Sequence, residues 1–473
     1  MKENYKAHLA HPVFKVVSEL TGNANLSSYV VGGYVRDLLL ERPCKDIDFV
    51  VVGDALDLAH AAAQKLRVKK VSVFQRFGTA HFRYKDLDVE FVGARKESYS
   101  SDSRKPFVSI GTLEDDQNRR DFTINAMAID MHPSNFGELV DPFNGVQDLE
   151  AGIIRTPLEP GITYSDDPLR MMRAVRFATQ LNFKIEHKSL QALIENAHRL
   201  EIISMERIMD ELNKIILTTK PSRGFELLFN TKLLHQFFPE MIALHGVETI
   251  NGNSHKDNFY HTLEVLDNLA QNTDNLWLRW AAILHDIAKP PTKRYDEKVG
   301  WTFHGHEDLG ARMVPKIFKR FRLPLDEKMK YVQKLVRLHL RPISLVKGTV
   351  TDSAVRRLLF EAGDDLEDLM LLCNADITSK NEFKVKKYRN NFKIVQEKFK
   401  ELEEKDRVRN FQPPVRGEEI METFQLGPCA EIGIIKTKIK DAILDGEIPN
   451  NREEAMLLMH KIAHELGITQ KKS

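Results

Sequence analysis

Asp46 and Asp48 stand two residues apart in Asp46-Ile47-Asp48-Phe49-Val50-Val51-Val52, a run that alternates and then turns wholly apolar. The pattern predicts a half-buried strand, and on a strand positions i and i+2 point to the same face. Carboxylates that close repel each other unless a cation sits between them. Mg2+ suits the role, being a hard ion held by one or two protein carboxylates plus substrate phosphates. Glu90, on the predicted strand Val89–Val92, is the third candidate catalytic carboxylate, with Asp88 as its rival on the same side. If the two strands are neighbours, the three groups form a two-metal site. One ion would activate an attacking hydroxyl, and the other would bind a triphosphate and steady the leaving pyrophosphate. Gly32-Gly33 ends the apolar run Tyr29-Val30-Val31 and opens a helix bearing Arg36 and Asp37. Glycine lets backbone approach a ligand, helix-start N–H groups favour phosphate, and Arg36 offers a forked donor.

A second set lies in the middle of the chain: His261, His285-Asp286, His306, His339 and Asp376. Imidazole and carboxylate ligands suit divalent transition ions. The ordered set resembles the HD phosphohydrolase domain. That resemblance implies a divalent metal on His261, His285, Asp286 and Asp376.

The elements that must position these groups change character along the chain. Residues 1–150 read as mixed α/β. The predicted strands are Tyr29–Val31, Asp46–Val52, Val71–Phe74, Thr79–Tyr84 and Val89–Val92, with a hairpin turn at Lys85-Asp86 and an Ala-rich helix over 55–66. Residues 93–118 show little apolar periodicity and read as a long loop. Beyond about residue 155 the spacing is helical, over Asp166–Gln180, Ser189–Leu200 and Met205–Leu217. A histidine-rich helical region follows, then charged helices over 381–473 broken at Pro413-Pro414.

Composition is that of a globular protein: 473 residues, 42% hydrophobic and 29% charged. No apolar run reaches membrane-spanning length, and the polar start carries no signal core, so a cytoplasmic protein without a membrane association is expected. Cys44, Cys373 and Cys429 form neither a disulfide framework nor a zinc cluster. The net charge of +1 does not announce a polyanion ligand, although local basic patches can carry one regardless of the total.

Gly32-Gly33-x-x-Arg36-Asp37, Asp46-Ile47-Asp48 and Arg119-Arg120-Asp121-Phe122-Thr123-Ile124-Asn125-Ala126 resemble the head of class II tRNA nucleotidyltransferases and bacterial poly(A) polymerases. Those families belong to the DNA polymerase beta superfamily. The likeness continues through Asp166-Asp167-Pro168-Leu169-Arg170-Met171-Met172-Arg173-Ala174-Val175-Arg176-Phe177 and Glu206-Arg207-Ile208-Met209-Asp210-Glu211-Leu212. It implies that Asp46 and Asp48 hold Mg2+ and that Gly32, Gly33, Arg36 and Arg120 meet the nucleotide. It also implies that Asp167 and Arg170 act as a protein template for the base, and that Arg173 and Arg176 lie near the triphosphate. One departure is Asp166, where the family usually has Glu. Base chemistry agrees with the template role. Cytosine and adenine each present an amino donor beside a ring acceptor, matching a carboxylate that only accepts and a guanidinium that only donates. Uracil and guanine reverse that order, and each polar group left unpaired costs about 1–3 kcal/mol. At i and i+3, Asp167 and Arg170 are expected to share a helix face.

The expected fold is therefore α+β. A small mixed-sheet nucleotidyltransferase head (1–150) precedes a helical neck with the base template (151–240), an HD-type helical body (241–380) and a helical tail (381–473). The expected reaction is addition of CMP and AMP from CTP and ATP to the 3′ end of tRNA, completing CCA. In this family a flexible loop over 93–118 accompanies A addition, and the histidine-rich region favours tRNA over poly(A) synthesis. The alternatives are a poly(A) polymerase, a CC-only or A-only enzyme, or an HD phosphohydrolase with a nucleotide-binding head.

Overall fold

The computed structural model describes residues 4–75, 78–100, 103–347, 351–378, 393, 395–402 and 414–468. The chain forms two compact units, Met1–Pro239 and Glu240–Ser473.

Nine strands of the first unit matter here: β1 Ser27–Val31, β2 Asp46–Val52, β3 Ser72–Phe74, β4 Thr79–Tyr84, β5 Leu87–Gly93, β6 Arg95–Ser100, β7 Ser103–Ile110, β8 Ala128–Asp130 and β9 Leu139–Val140. Seven of them form one mixed sheet in the order β3-β4-β5-β2-β1-β8-β9. Its β2–β5 pair is parallel, and the segment between them supplies the crossover such a pair requires. Alternation along β2 sends Ile47, Phe49 and Val51 into the core beneath the helices Pro12–Asn23 and Ala55–Lys65. There Phe49 stacks on Phe91 at 4.9 Å, and Phe91 on Phe82 at 5.8 Å. The other side of β2 carries Asp46 and Asp48, then Val50 and Val52, which join a cluster with Val31, Ala94, Ala128 and Leu113. The Ala55–Lys65 helix starts where it does because the Asp54 carboxylate accepts from the N–H groups of Leu56 and Asp57 at 2.9 and 3.0 Å.

Two expectations need correction. The segment 93–118 is not an irregular loop: β6 and β7 pair as a hairpin, followed by the helix Leu113–Asn118 with a Thr112/Asp115 capping box. Its sequence is polar with little alternation, and its tip at 101–102 lies outside the described residues. The expected helix Asp166–Gln180 is two helices, Pro160–Asp166 and Leu169–Leu181. Asp167 between them is extended (φ −134°, ψ 95°), the conformation favoured before a proline. The strands β8 and β9 extend the sheet beyond the sequence reading; both are too short to show a period.

The helix Leu169–Leu181 buries Met171, Met172, Ala174, Val175 and Ala178 against the helices Met205–Ile216 and Pro221–Asn230. In the second unit the helices Asn258–Ala270, Leu276–Leu284, His306–Arg320, Glu327–Leu338 and Leu366–Ala375 pack together. Two small hairpins accompany them, Thr249–Ile250 with Asn253–Ser254 and Arg294–Asp296 with Gly300–Thr302. The helices Gly417–Phe424, Ala430–Asp445 and Arg452–Glu465 share a core of Ile420, Ile435, Ile439, Met459 and Ile462. Arg357, on the helix Asp352–Ala362, joins that bundle through Asp445 at 2.7 Å and Asp441 at 3.3 Å. The stretches 379–392 and 403–413, the latter ending in Pro413, lie outside the described residues. Among the described residues no helix is long and apolar enough to cross a membrane.

Gly224 is a close-approach position, because a Cβ there would lie 2.3 Å from Ile215 Cγ2 and 3.0 Å from Thr179 Oγ1. Gly224→Val should therefore overpack the three neck helices and cost about 1–3 kcal/mol, seen as a lower melting temperature in thermal unfolding. An unchanged transition would show that the helices yield freely.

Candidate active site

The β2–β5 ladder sets Asp46 opposite Asp88 and Asp48 opposite Glu90. Asp48 and Glu90 therefore share the polar face on adjoining strands, as the sequence reading required, while Asp88 is held by His81 Nε2 at 3.2 Å. Burial, the charge of Glu90 and the charge of Asp46 push the Asp48 carboxyl up to about 6, against the pull of Arg120. Carboxylates this close favour a cation between them, and the donors are oxygens only. The fit to a hard divalent ion is good on both counts.

Gly32 abuts the same carboxylate. A Cβ placed on it would lie 2.9 Å from Arg120 Nη1 and 3.7 Å from Asp48 Oδ2, and its φ of +74° suits glycine. Gly33 makes no comparably close approach. Arg120 is steadied by Asp116, whose Oδ2 accepts from Nε at 3.0 Å. Burial would raise the Asp116 carboxyl, but Arg120 and Arg119 more than offset it and keep the group ionised.

Arg36 is more enclosed than its motif suggests. It is buried, grips Asp37 through Nε (2.9 Å) and Nη2 (2.8 Å), and donates from Nη1 to Asn125 Oδ1 at 2.9 Å. Asn125 passes the link on: its Nδ2 donates to Asp121 Oδ1 at 3.0 Å, and Asp121 Oδ2 accepts from Arg173 Nε at 2.7 Å. The guanidinium groups of Arg36, Arg173 and Arg176 lie 5.0, 5.4 and 4.0 Å from the Phe177 ring centre. Arg176 is turned to Glu211 Oε2 at 2.5 Å.

Beside this network is a cavity of about 570 Å3, lined by Arg119, Arg120, Asp167, Arg170, Arg173 and Lys214 among others. Asp167 and Arg170 thus meet at one cavity although they do not share a helix. Asp167 Oδ1 caps the helix by accepting from Leu169 N at 3.2 Å, and Arg170 Nη2 donates to the Arg119 carbonyl at 2.7 Å. Asp116, Asp121, Asn125 and Glu211, which fix the cationic side chains, receive no role from the sequence; Asp121, Asn125 and Glu211 are polar positions inside the quoted motifs, and Asp116 lies just before one, in the segment read as a loop.

The second unit gathers the other expected set. His261 Nε2 lies 2.8 Å from Asp376 Oδ1 and 3.5 Å from Asp286 Oδ2, and His285 Nε2 lies 3.2 Å from Asp286 Oδ2. His306 and His339, to which the resemblance gave no ligand role, join on the other oxygen: Asp286 Oδ1 is 3.2 Å from His306 Nε2 and 3.9 Å from His339 Nε2. His285, His306 and His339 each donate Nδ1–H to a backbone carbonyl at 2.7 Å, which leaves Nε2 as the inward donor atom. Buried His285 Nε2 and Asp286 Oδ2 have no aligned hydrogen-bond partner. Ligand atoms around an ion with bonds near 2.1 Å stand roughly 3–3.5 Å apart, which matches most of these separations. Burial would lower the His285 imidazole, but Asp286 and Asp376 outweigh it and raise it to about 10, the mark of a pocket that favours positive charge. Lys289 Nζ lies 2.6 Å from Asp286 Oδ2.

Residues 28–155 match the family described as Poly A polymerase head domain, residues 182–244 the family described as probable RNA and SrmB-binding site of polymerase A, and residues 258–380 the HD domain family. The multifunctional CCA protein of Nitrosococcus oceani is 34% identical over 377 residues, covering 76% of this chain and 86% of that protein. The A-adding tRNA nucleotidyltransferase of Aquifex aeolicus is 41% identical over 203 residues, covering 43% of this chain and 24% of that one. Among solved structures, the Thermotoga maritima CCA-adding enzyme complexed with tRNA matches at a TM-score of 0.60 and 22% identity, covering 98% of this chain and 97% of that one. At that identity the likeness concerns the fold.

Because the Asp48 carboxyl is raised in the fold, its ionisation weakens the fold as pH climbs from about 4 to about 6. After chelation, Asp48→Asn should melt a few degrees above the parent at pH 7, and the gap should close by pH 4. Added Mg2+ should raise the melting temperature of the parent but not of the variant. A variant that melts at or below the parent at pH 7 would refute the electrostatic account.

Proposed function

We propose, on the premise that the chain belongs to the family of CCA-adding tRNA nucleotidyltransferases, that it completes the 3′ CCA of tRNA from CTP and ATP, releasing pyrophosphate. The observation that carries the reading is the β2–β5 register, which sets Asp48 against Glu90 with Gly32 and Arg120 beside the same carboxylate. A cytoplasmic setting follows from the proposed substrate.

Asp46 and Asp48, with Glu90, would hold Mg2+. When bound, the ions supply activation of the attacking hydroxyl and charge neutralisation at the triphosphate. The chain's own part is positioning. Gly32 lets the nucleotide approach the sheet, and Arg120, braced by Asp116, donates to phosphate. Arg173 and Arg36, tied through Asp121 and Asn125, keep the phosphate side positive without moving. Asp167 offers a carboxylate oxygen and Arg170 its remaining N–H groups to the base, in the order cytosine and adenine complement.

The Aquifex relative favours a second reading in which only A is added. Incubation with tRNA lacking CCA, and with tRNA ending in CC, each with single triphosphates, separates the cases. Full CCA on the first substrate is the expected result. Extension of the CC-ending substrate alone supports the A-adding reading, and long poly(A) on arbitrary RNA would refute both. Asp46→Ala and Asp48→Ala should each reduce addition by at least about a thousandfold with the fold intact. Asp167→Ala should keep activity in part but admit UTP and GTP, since its removal erases a pairing difference of about 1–3 kcal/mol; unchanged base choice would show the template lies elsewhere.

For the second unit, we read the cluster around Asp286 as a divalent-metal site in which His261, His285, Asp286 and Asp376 are joined by His306 and His339. Metal analysis should find bound ion in the parent and little in Asp286→Ala, while nucleotide addition stays. Equal metal content in the two proteins would exclude the assignment.

A further inference from the structure

The polar face of the first sheet changes sign across its strands. Ladder partners share a face, so Asp46 and Asp48 on β2, Asp88 and Glu90 on β5, and His81 and Arg83 on β4 all lie on it. Just beyond β4, where β3 stops pairing at Ser72, a concavity of about 550 Å3 is lined by Arg67, Lys69, Lys70, Arg83 and Lys85 together with His81. The five Lys and Arg side chains are exposed, and none has a carboxylate partner among the described residues. Its lining contains no acidic residue. Like charges held together repel unless a polyanion answers them, and phosphodiesters do so by releasing counterions.

Position decides which polyanion. Gly32 and Arg120 reach Asp48 from the β1 side of β2, where the 570 Å3 cavity also takes in Arg120. The basic concavity lies on the opposite side, past β5. At about 4.8 Å per strand, β4 is about 10 Å from β2, a short reach along an extended nucleotide chain. The carboxylates therefore stand between two electropositive regions. One is lined by the side-chain network described above, with carboxylates among its cations, and suits a single nucleotide. The other lies at a sheet edge, is lined by basic residues without a carboxylate, and suits a backbone that continues outward. We propose that Arg67, Lys69, Lys70, Arg83 and Lys85 bind the phosphodiester backbone of the RNA strand whose 3′ end is extended, so that RNA and triphosphate approach Asp46, Asp48 and Glu90 from opposite sides. This rests on the nucleotidyltransferase reading for the identity of the RNA, and on the sheet register for its location.

The test is binding of tRNA lacking CCA to the full-length protein across a salt series, alongside steady-state kinetics. Lys69→Ala/Lys70→Ala/Arg83→Ala should weaken binding about tenfold or more near physiological salt. The slope of log K against log salt should shrink by about 0.7 for each phosphate no longer neutralised, roughly two in all. The KM for CTP should not move, and Lys69→Arg/Lys70→Arg should bind as the parent does. Unchanged affinity and slope would overturn the proposal. So would a raised KM for CTP with tRNA binding intact, which would give the concavity to the triphosphate. Should the triple variant melt early, Lys69→Ala/Lys70→Ala, on the exposed loop before β3, carries the same test with a smaller slope change. A parent that binds tRNA with a slope sensitive to these residues but never extends it would sink the nucleotide-addition reading and leave the backbone site standing.

Discussion

Repulsion between Asp48 and Glu90 organises the first unit. The parallel β2–β5 ladder forces the two carboxylates onto one face, and the apolar run Phe49-Val50-Val51 fixes the register so that neither can turn away. A one-residue slip would turn Phe49 toward the polar face and Asp48 toward the aromatic core. The core thus enforces a juxtaposition that the charges oppose. The glycine turn at Gly32, the Arg120–Asp116 pair and the cationic cluster around Phe177 complement the negative charge concentrated there.

Buried acids play the opposite part nearby. Asp116 and Asp121 stay ionised because each is matched by guanidinium groups, and both are buried. Removing one partner of such a pair leaves an uncompensated charge in the interior, which is costly. The basic wall of the 570 Å3 cavity is accordingly held in place by ion pairs. Arg36 is held through Asn125 and Asp121 to Arg173, across 137 residues of sequence separation covered by the hydrogen bonds at 36–125 and 121–173.

Much of this was legible in the sequence because the informative features are periodic or ordered. Asp46 and Asp48 at spacing two, before an apolar run, predicted both a strand and a shared face. Glu90 was separable from Asp88 only by register, which needs the partner strand; the structure shows Asp88 tied to His81. The segment 93–118 hides its two strands because its sequence does not alternate in polarity, so only the backbone pairing reveals the hairpin. The i, i+3 spacing of Asp167 and Arg170 suggests one helix, while Pro168 between them carries the contrary signal that the structure follows. His306 and His339 stood in view, yet their convergence on Asp286 depends on the packing of the helices His306–Arg320 and Glu327–Leu338, which no local pattern encodes.

The break at Asp167-Pro168 separates two jobs that a continuous helix would have merged. Pro168 stands at the N-cap, where its ring restricts the backbone without removing an N–H that the helix needs. Substitutions on the buried stripe Met171, Met172 and Val175 would alter how firmly the helix is seated. The angle at which the Asp167 carboxylate enters the cavity is governed instead by the proline-restricted dipeptide. The direction of this one carboxylate and the seating of the helix are therefore adjustable independently in this protein: a change confined to a single peptide unit could re-aim Asp167 while the hydrophobic seat of the helix stays untouched.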